Sequence, residues 1–238
     1  MQSGDCNIKY KDISMKVALE LPPNLEQTRL SDAVYETLLD AILSGRLCAG
    51  SVVSEVALSK QLEVSRTPVH DALRQLSKDG LIEQRANHRA VIATFAREDV
   101  HDVFEMRKIL EGEAAYRAAT RLDRPELARL RSEGDNLARS RKRPDWVERW
   151  ADFDEDFHTS VARASGSKRL YQDIIRYRML HRGFNLLTTT VECLKQALDE
   201  HFCILESLEN RKADEARQRM VSHIQEWQAF FVNRFPHR

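Results

Sequence analysis

Apolar residues recur at helical spacing along most of this chain. Leu30, Val34, Leu38, Ile42 and Leu43 form one face of a first helix ending at Ser44-Gly45. Residues 54–62 form a short second helix behind a serine N-cap. In a third, Val69, Ala72, Leu73 and Leu76 fall at i, i+3, i+4 and i+7. Ser65 is its predicted N-cap, with a hydroxyl placed to accept from a first-turn backbone N–H. Pro68 sits in the first turn, where a missing donor costs little, and Gly80 supplies the stop. Two strand-like runs follow, 81–85 and 90–94, around the polar, basic tip Ala86-Asn87-His88-Arg89. Together these elements predict a winged helix-turn-helix over residues 28–95, with Glu63 in the bend between the second and third helices.

Beyond Arg97 the pattern is helical almost throughout. Helices are predicted over 97–121, 125–140, 145–164, 168–182, 190–210 and 213–233. Breaks fall at Asp123-Arg124-Pro125, Arg143-Pro144, Ser165-Gly166-Ser167 and Asn210-Arg211-Lys212. Helices of this length with short connections package as an all-helical bundle of about six helices over 96–238. Residues 1–27 are expected to be a loose arm, broken by Leu21-Pro22-Pro23-Asn24. The fold class is therefore mainly α.

The chain has 238 residues, 42% hydrophobic and 31% charged, which suits a soluble globular protein of two domains. No apolar run approaches the length of a membrane span, so no membrane partner is expected. Residues 1–16 are polar and mixed in charge, unlike a secretory signal. Cys6, Cys48, Cys193 and Cys203 show no pair spacing, so a reduced, cytoplasmic protein is expected, with Cys203 in the core.

Net charge is zero, and residues 25–100 carry nine Lys/Arg against eleven Asp/Glu. The cations cluster in Arg66, Arg74, Lys78, Arg85 and Arg89, which predicts modest non-specific DNA affinity and reliance on a dimer. Arg66, His70, Arg74 and Lys78 recur every four residues on the polar face of the third helix. A helix buried on one side, with hydroxyls and cations at its start, suits the DNA major groove; the alternative is an ordinary solvated surface helix.

The run ILSGRLCAGSVVSEVALSKQLEVSRTPVHDALRQLSKDGLIEQ resembles the winged-helix domain of GntR-type bacterial transcription regulators. Its core VSRTPVHDAL is similar to that family's VSRTPVREAL signature in eight of ten places. The resemblance implies DNA contacts from Ser65, Arg66, Thr67 and His70; Arg74 on the same polar face and His88 and Arg89 in the basic wing tip are further candidates. His70 stands where the family usually has arginine and lacks the bidentate fork, so it should read guanine less strongly. Val56 and Glu63 also depart from a common arginine and a common turn glycine.

A second resemblance covers 97–233. EDVHDVFEMRKILEGEAAYRAA, DFDEDFHTSVARASGS and LDEHFCILESLENRKADEARQRMVSHI are similar to the all-helical FCD ligand-binding domain of the FadR-like branch of that family. Asp154 and His158 lie one helical turn apart on one face. His201 shares a stripe with Leu194, Leu198, Leu205 and Leu208, and His223 with Met220, Ile224 and Trp227. Antiparallel packing of those two helices can bring the imidazoles together. One carboxylate and three imidazoles suit a divalent Zn, Ni, Mn or Fe ion with one or two open positions. By resemblance these four match the branch's metal-binding set; taken singly, each histidine reads as a hydrogen-bonded core residue rather than a ligand.

The resemblance also implies a small carboxylate effector. Arg107 matches the family's arginine in the first helix of this domain. Arg178 and Arg182, on one predicted helical face, are further candidates, with surface or interface salt bridges as the alternative. Glu155 and Asp156 read as solvent-facing charges, and Thr188-Thr189-Thr190 as a helix cap. The expected whole is a homodimeric, non-enzymatic regulator, with repression the family's commoner role, whose affinity for double-stranded operator DNA responds to the effector. A metal-responsive regulator, a metal-dependent hydrolase and a helical domain that only dimerises are the alternatives.

Overall fold

The computed structural model describes residues 19–21, 27–85, 89–184 and 190–233. The chain divides into two compact units between Thr94 and Phe95.

The first unit holds α1 (Gln27–Leu43), β1 (Val52–Val53), α2 (Glu55–Gln61), α3 (Arg66–Lys78), β2 (Ile82–Arg85) and β3 (Arg89–Ile92). Its sheet runs β1-β3-β2, antiparallel, with Val52 opposite Val91 and Ile82 opposite Ile92. β1 was not predicted: two residues are too few to show the alternation that marks a strand. Val34 and Leu38 of α1, Leu58 of α2, and Val69, Ala72, Leu73 and Leu76 of α3 are all buried, so the apolar stripes meet in one core. Asp79 ends α3 and is itself buried; it accepts from Tyr35 Oη at 3.0 Å and from Gln75 Nε2 at 3.2 Å. That bond ties α1 to the end of α3.

Two capping predictions part company. Ser54 Oγ accepts from the Ala57 N–H, which starts α2 as expected. Ser65 occupies the N-cap of α3 with extended backbone, but its exposed hydroxyl makes no capping bond. Glu63, in the turn, has φ +55°, the left-handed region that normally favours glycine.

The second unit holds α4 (Arg97–Arg121), α5 (Arg124–Arg139), α6 (Trp146–Ala164), α7 (Lys168–Phe184), α8 (Val191–Glu209) and α9 (Ala213–Val232). α4 packs against α6, α7, α8 and α9 and is the axis of the bundle. Gly112 permits a close approach of α4 to α9: a Cβ there would stand 2.8 Å from a Val221 methyl of α9. Asp123 Oδ1 caps α5 at the Glu126 N–H, 2.9 Å, and Thr190 Oγ1 caps α8 at the Cys193 N–H, 3.3 Å. Thr188 and Thr189 lie outside the described residues.

Cys203 is exposed, not in the core as expected. The buried stripe of α8 passes through Leu198, His201, Ile204 and Leu205, and Cys203 points away from it. No described helix is long and apolar enough to cross a membrane.

Candidate functional sites: a reading helix and a buried histidine centre

In the first unit, α3 buries Val69, Ala72, Leu73 and Leu76 and turns Ser65, Arg66, Thr67, His70 and Arg74 to solvent. A helix start with hydroxyls and cations outward and its apolar side anchored has the chemistry to meet phosphates and base edges. His70 Nδ1 lies 3.5 Å from Glu55 Oε2, so the first residue of α2 restrains this side chain. His70 and Arg74 also line an open cleft of about 470 Å³ between α3 and the sheet, with Glu55, Lys78 and Gln84. His88 lies outside the described residues, as does the side chain of Arg89.

In the second unit, three helices bring one polar cluster into the core. Asp154 and His158 come from α6, His201 from α8 and His223 from α9; one donor atom from each lies within 4.8 Å of the others. His201 Nε2 stands 3.3 Å from His158 Nε2 and 3.4 Å from Asp154 Oδ1, with His158 Nε2 3.7 Å from that oxygen. Ligands on one ion at bonds of about 2.1 Å sit about 3.0–3.4 Å apart, so the two His201 separations suit a shared first-row divalent metal and the 3.7 Å pair is slightly wider. His158, His201 and His223 are at most 4% exposed, which shields the cluster from water.

The surrounding carboxylates orient the imidazoles. His158 Nδ1 is hydrogen-bonded to Glu111 Oε2, and His223 Nδ1 to Glu200 Oε2 at 2.6 Å. With Nδ1 as donor in both, Nε2 keeps a lone pair directed at the cluster. Arg107 Nε donates to the other oxygen of Glu111 at 2.7 Å. Burial, reinforced by the Arg178 guanidinium, pushes the His158 imidazole well below its ordinary value. Burial and neighbouring His223 push His201 down to about 3. Burial alone would raise Asp154, but the Arg178 guanidinium holds it far below the usual carboxylate range. Neutral imidazoles beside an ionised carboxylate are the protonation states a metal requires.

The predicted effector arginines separate. Arg107 is 2% exposed and lines a small cavity of about 10 Å³ with Trp150, Asp154, His181, His223, Ile224 and Trp227. Arg178, 1% exposed, is no surface salt bridge: its Nη2 donates to Asp154 Oδ2 at 2.8 Å and to Glu155 Oε2 at 2.9 Å. Its Nε and Nη1 are buried with no hydrogen-bond partner among the described residues, Nη1 lying 4.0 Å from Glu111 Oε2. Arg182 is exposed and does not line the cavity. Four residues advance a helix about 40° beyond a full turn, enough to carry Arg182 off the narrow stripe that buries Arg178. Glu155 is held by Arg178 and Asp156 by Arg129, 2.7 Å, rather than standing free in solvent.

Glu111, Glu200, Trp150 and His181 were not singled out from the sequence, and Trp227 only as part of the stripe through His223. Glu111 and Glu200 carried a signal: Glu111 is one helical turn from Arg107, and Glu200 adjoins His201. His181 and the tryptophans look in sequence like ordinary core residues.

A winged helix-turn-helix joined in one chain to a helical unit defines a two-domain DNA-binding protein. The comparisons narrow this. Residues 30–92 match the family described as bacterial regulatory proteins, gntR family, and residues 102–226 match the FCD domain. The chain belongs to the GntR family of bacterial transcription regulators and carries an FCD domain. It is 32% identical over 133 residues, 54% of this chain and 77% of the relative, to an uncharacterized HTH-type transcriptional regulator in the TAR-I ttuE-ttuC' intergenic region of Agrobacterium vitis. It is 27% identical to the Nta operon transcriptional regulator of Aminobacter aminovorans, over 74% of this chain and 82% of that one. Among solved structures, E. coli McbR/YncC shares the fold, with a TM-score of 0.73 and 18% identity over 86% of this chain and 98% of that one. These relatives are regulators of transcription, not enzymes.

Proposed function

We propose that this regulator binds operator DNA as a homodimer, as a repressor, and that a small carboxylate effector bound at a metal centre in the helical unit controls that affinity. The observation that carries the reading is the convergence of Asp154, His158, His201 and His223, with one donor atom from each within 4.8 Å of the others, beside a cavity that Asp154, His223 and Arg107 line. When bound, the metal supplies a Lewis-acidic position for a carboxylate oxygen. The chain's own residues do the rest. Glu111 and Glu200 fix the tautomers of His158 and His223. Arg178 keeps Asp154 ionised and oriented. Arg107 brings a guanidinium to the cavity, and its bond to Glu111 ties effector contact to the support of His158.

α4 carries both Arg107 and Glu111 and begins at Arg97, two residues after the helical unit starts. It is therefore the element whose position the effector biases, with a coupling of about 1–3 kcal/mol between effector and DNA. Ser65, Arg66, Thr67 and His70 enter the major groove, and Arg74 and the wing residues His88 and Arg89 hold the flanking backbone.

Native mass spectrometry of the purified protein tests the reading in one measurement. A dimer mass carrying one divalent ion per chain and a retained small acid is expected. A metal-free monomer with unaltered operator binding on adding metal and acid would overturn it. The tightness of the cavity favours one second reading, in which the ion itself is the signal. Operator affinity that titrates with metal alone, with no organic acid present, would select it.

A further inference from the structure

The open cleft between α3 and the sheet of the first unit, about 470 Å³, has two kinds of lining. Val53, Leu73 and Ala90, each at most 6% exposed, make an apolar floor. Arg74, Ser77 and Lys78 of α3 face Gln84 of β2 along its rim, and Arg74, Lys78 and Gln84 are exposed. The carboxylate in the lining, Glu55, lies 3.5 Å from His70 Nδ1. Arg74 and Lys78 have no ion-pair partner among the described residues, although Asp71 stands one turn before Arg74. In the helical unit, by contrast, Arg117, Arg129, Arg131 and Arg217 each hold a carboxylate. Two unpaired cations four residues apart on one helix repel each other. A solvated surface helix relieves that repulsion with its own acids, and this one does not.

We propose that this cleft seats the sugar–phosphate backbone of one DNA strand, with Lys78, Ser77 and Gln84 joining Arg74 as phosphate contacts. The inference rests on DNA reading by the start of α3 and extends it to three residues that reading does not use. Lysine, arginine, serine and glutamine side chains are the donors that phosphate oxygens take. The deoxyribose carbons between phosphates are apolar and suit the floor of Val53, Leu73 and Ala90. Four residues rise about 6 Å along a helix, close to the step between neighbouring phosphates of a strand, so Arg74 and Lys78 meet successive phosphates. Arg66 and His70 lie on the same face nearer the helix start. A strand flanking the bases read there therefore continues into the cleft, and its charge relieves the repulsion between the two cations.

The test is fluorescence-anisotropy titration of the full-length protein with a labelled mixed-sequence duplex of about three helical turns, from about 50 to about 200 mM salt. Wild type, Lys78→Gln, Gln84→Glu and Lys142→Gln are compared, with a melting temperature for each. Lys142 is exposed in the helical unit, so its variant removes the same charge outside the cleft. In Lys78→Gln the slope of log affinity against log salt should become shallower by about 1 per bound chain, with binding weakened alike for every duplex sequence. Gln84→Glu sets a carboxylate against the strand and should weaken binding about tenfold or more. Lys142→Gln should match wild type. A slope unchanged in Lys78→Gln, or lowered as much in Lys142→Gln, overturns the proposal and leaves reading by the start of α3 standing. Pyrophosphate titrated without DNA separates a second source of the same anion. Saturable pyrophosphate binding that Lys78→Gln abolishes, with the DNA slope unchanged, would assign the cleft to a free phosphorylated molecule and overturn the proposal. Should Lys78→Gln or Gln84→Glu fail to fold, the other still decides against Lys142→Gln.

Discussion

His158 and His201 face each other across the core of the helical unit, their Nε2 atoms 3.3 Å apart and both rings at most 1% exposed. Two neutral imidazole nitrogens gain little from such proximity unless a cation lies between them or one donates to the other. Asp154 Oδ1, 3.4 Å from His201 Nε2, completes the same small space.

Removing one of these donors should therefore remove metal. His201→Ala is expected to lower bound divalent ion sharply, measured by elemental analysis of dialysed protein. Glu111→Gln keeps all four donors but weakens the support of His158, so metal affinity should fall about 10–100-fold in a chelator competition. Full metal retention in His201→Ala would reject the site as drawn.

Arg66 is exposed at the first position of α3 and anchors nothing in the core. Arg66→Ala should leave the melting temperature unchanged and weaken specific operator binding by about tenfold or more in a mobility-shift assay. The salt dependence of the remaining binding should become shallower.

Metal-free protein should lose stability in mild acid. The unfolded chain's histidines protonate near their ordinary value of 6.5, while burial pushes folded His201 down to about 3 and moves His158 and His181 the same way. The folded state then binds fewer protons, so stability is full above about pH 6.5 and is lost as pH falls towards about 3. Each such histidine adds a slope of up to about 1.4 kcal/mol per pH unit within that window. Thermal melts of metal-free protein from about pH 7 to about pH 5 check this, and His181→Phe should give a shallower slope. A flat profile would contradict the buried neutral imidazoles.

Gly112→Ala should destabilise the helical unit by about 1–3 kcal/mol, because its Cβ would press a Val221 methyl held on α9. Denaturant unfolding measures the loss. Gly112→Ala combined with Val221→Ala should recover part of it, since the obstructing methyl is gone.

Much of the helical pattern was legible because it is local. The stripe Val69, Ala72, Leu73, Leu76 repeats at 3.6 residues and α3 buries those residues. The stripes through His201 and His223 turn both side chains inward in α8 and α9. β1 escaped notice because two residues carry no period. Cys203 and Arg182 were misplaced because an apolar neighbourhood, or an i, i+4 spacing, does not say where the edge of a buried stripe falls.

Periodicity, caps and breaks thus determined the helices, the reading helix and the inward direction of the four metal-site candidates, since each depends on residues within a turn or two of one another. Only the tertiary structure decided that Glu111 and Glu200 stand behind His158 and His223, that Arg178 is buried against Asp154, and that His181 and Trp150 border one cavity. Those relations join residues tens of positions apart through the packing of α4, α6, α7, α8 and α9. Packing of that kind follows from how side-chain volumes interlock between helices, and no single helix carries it in its own sequence.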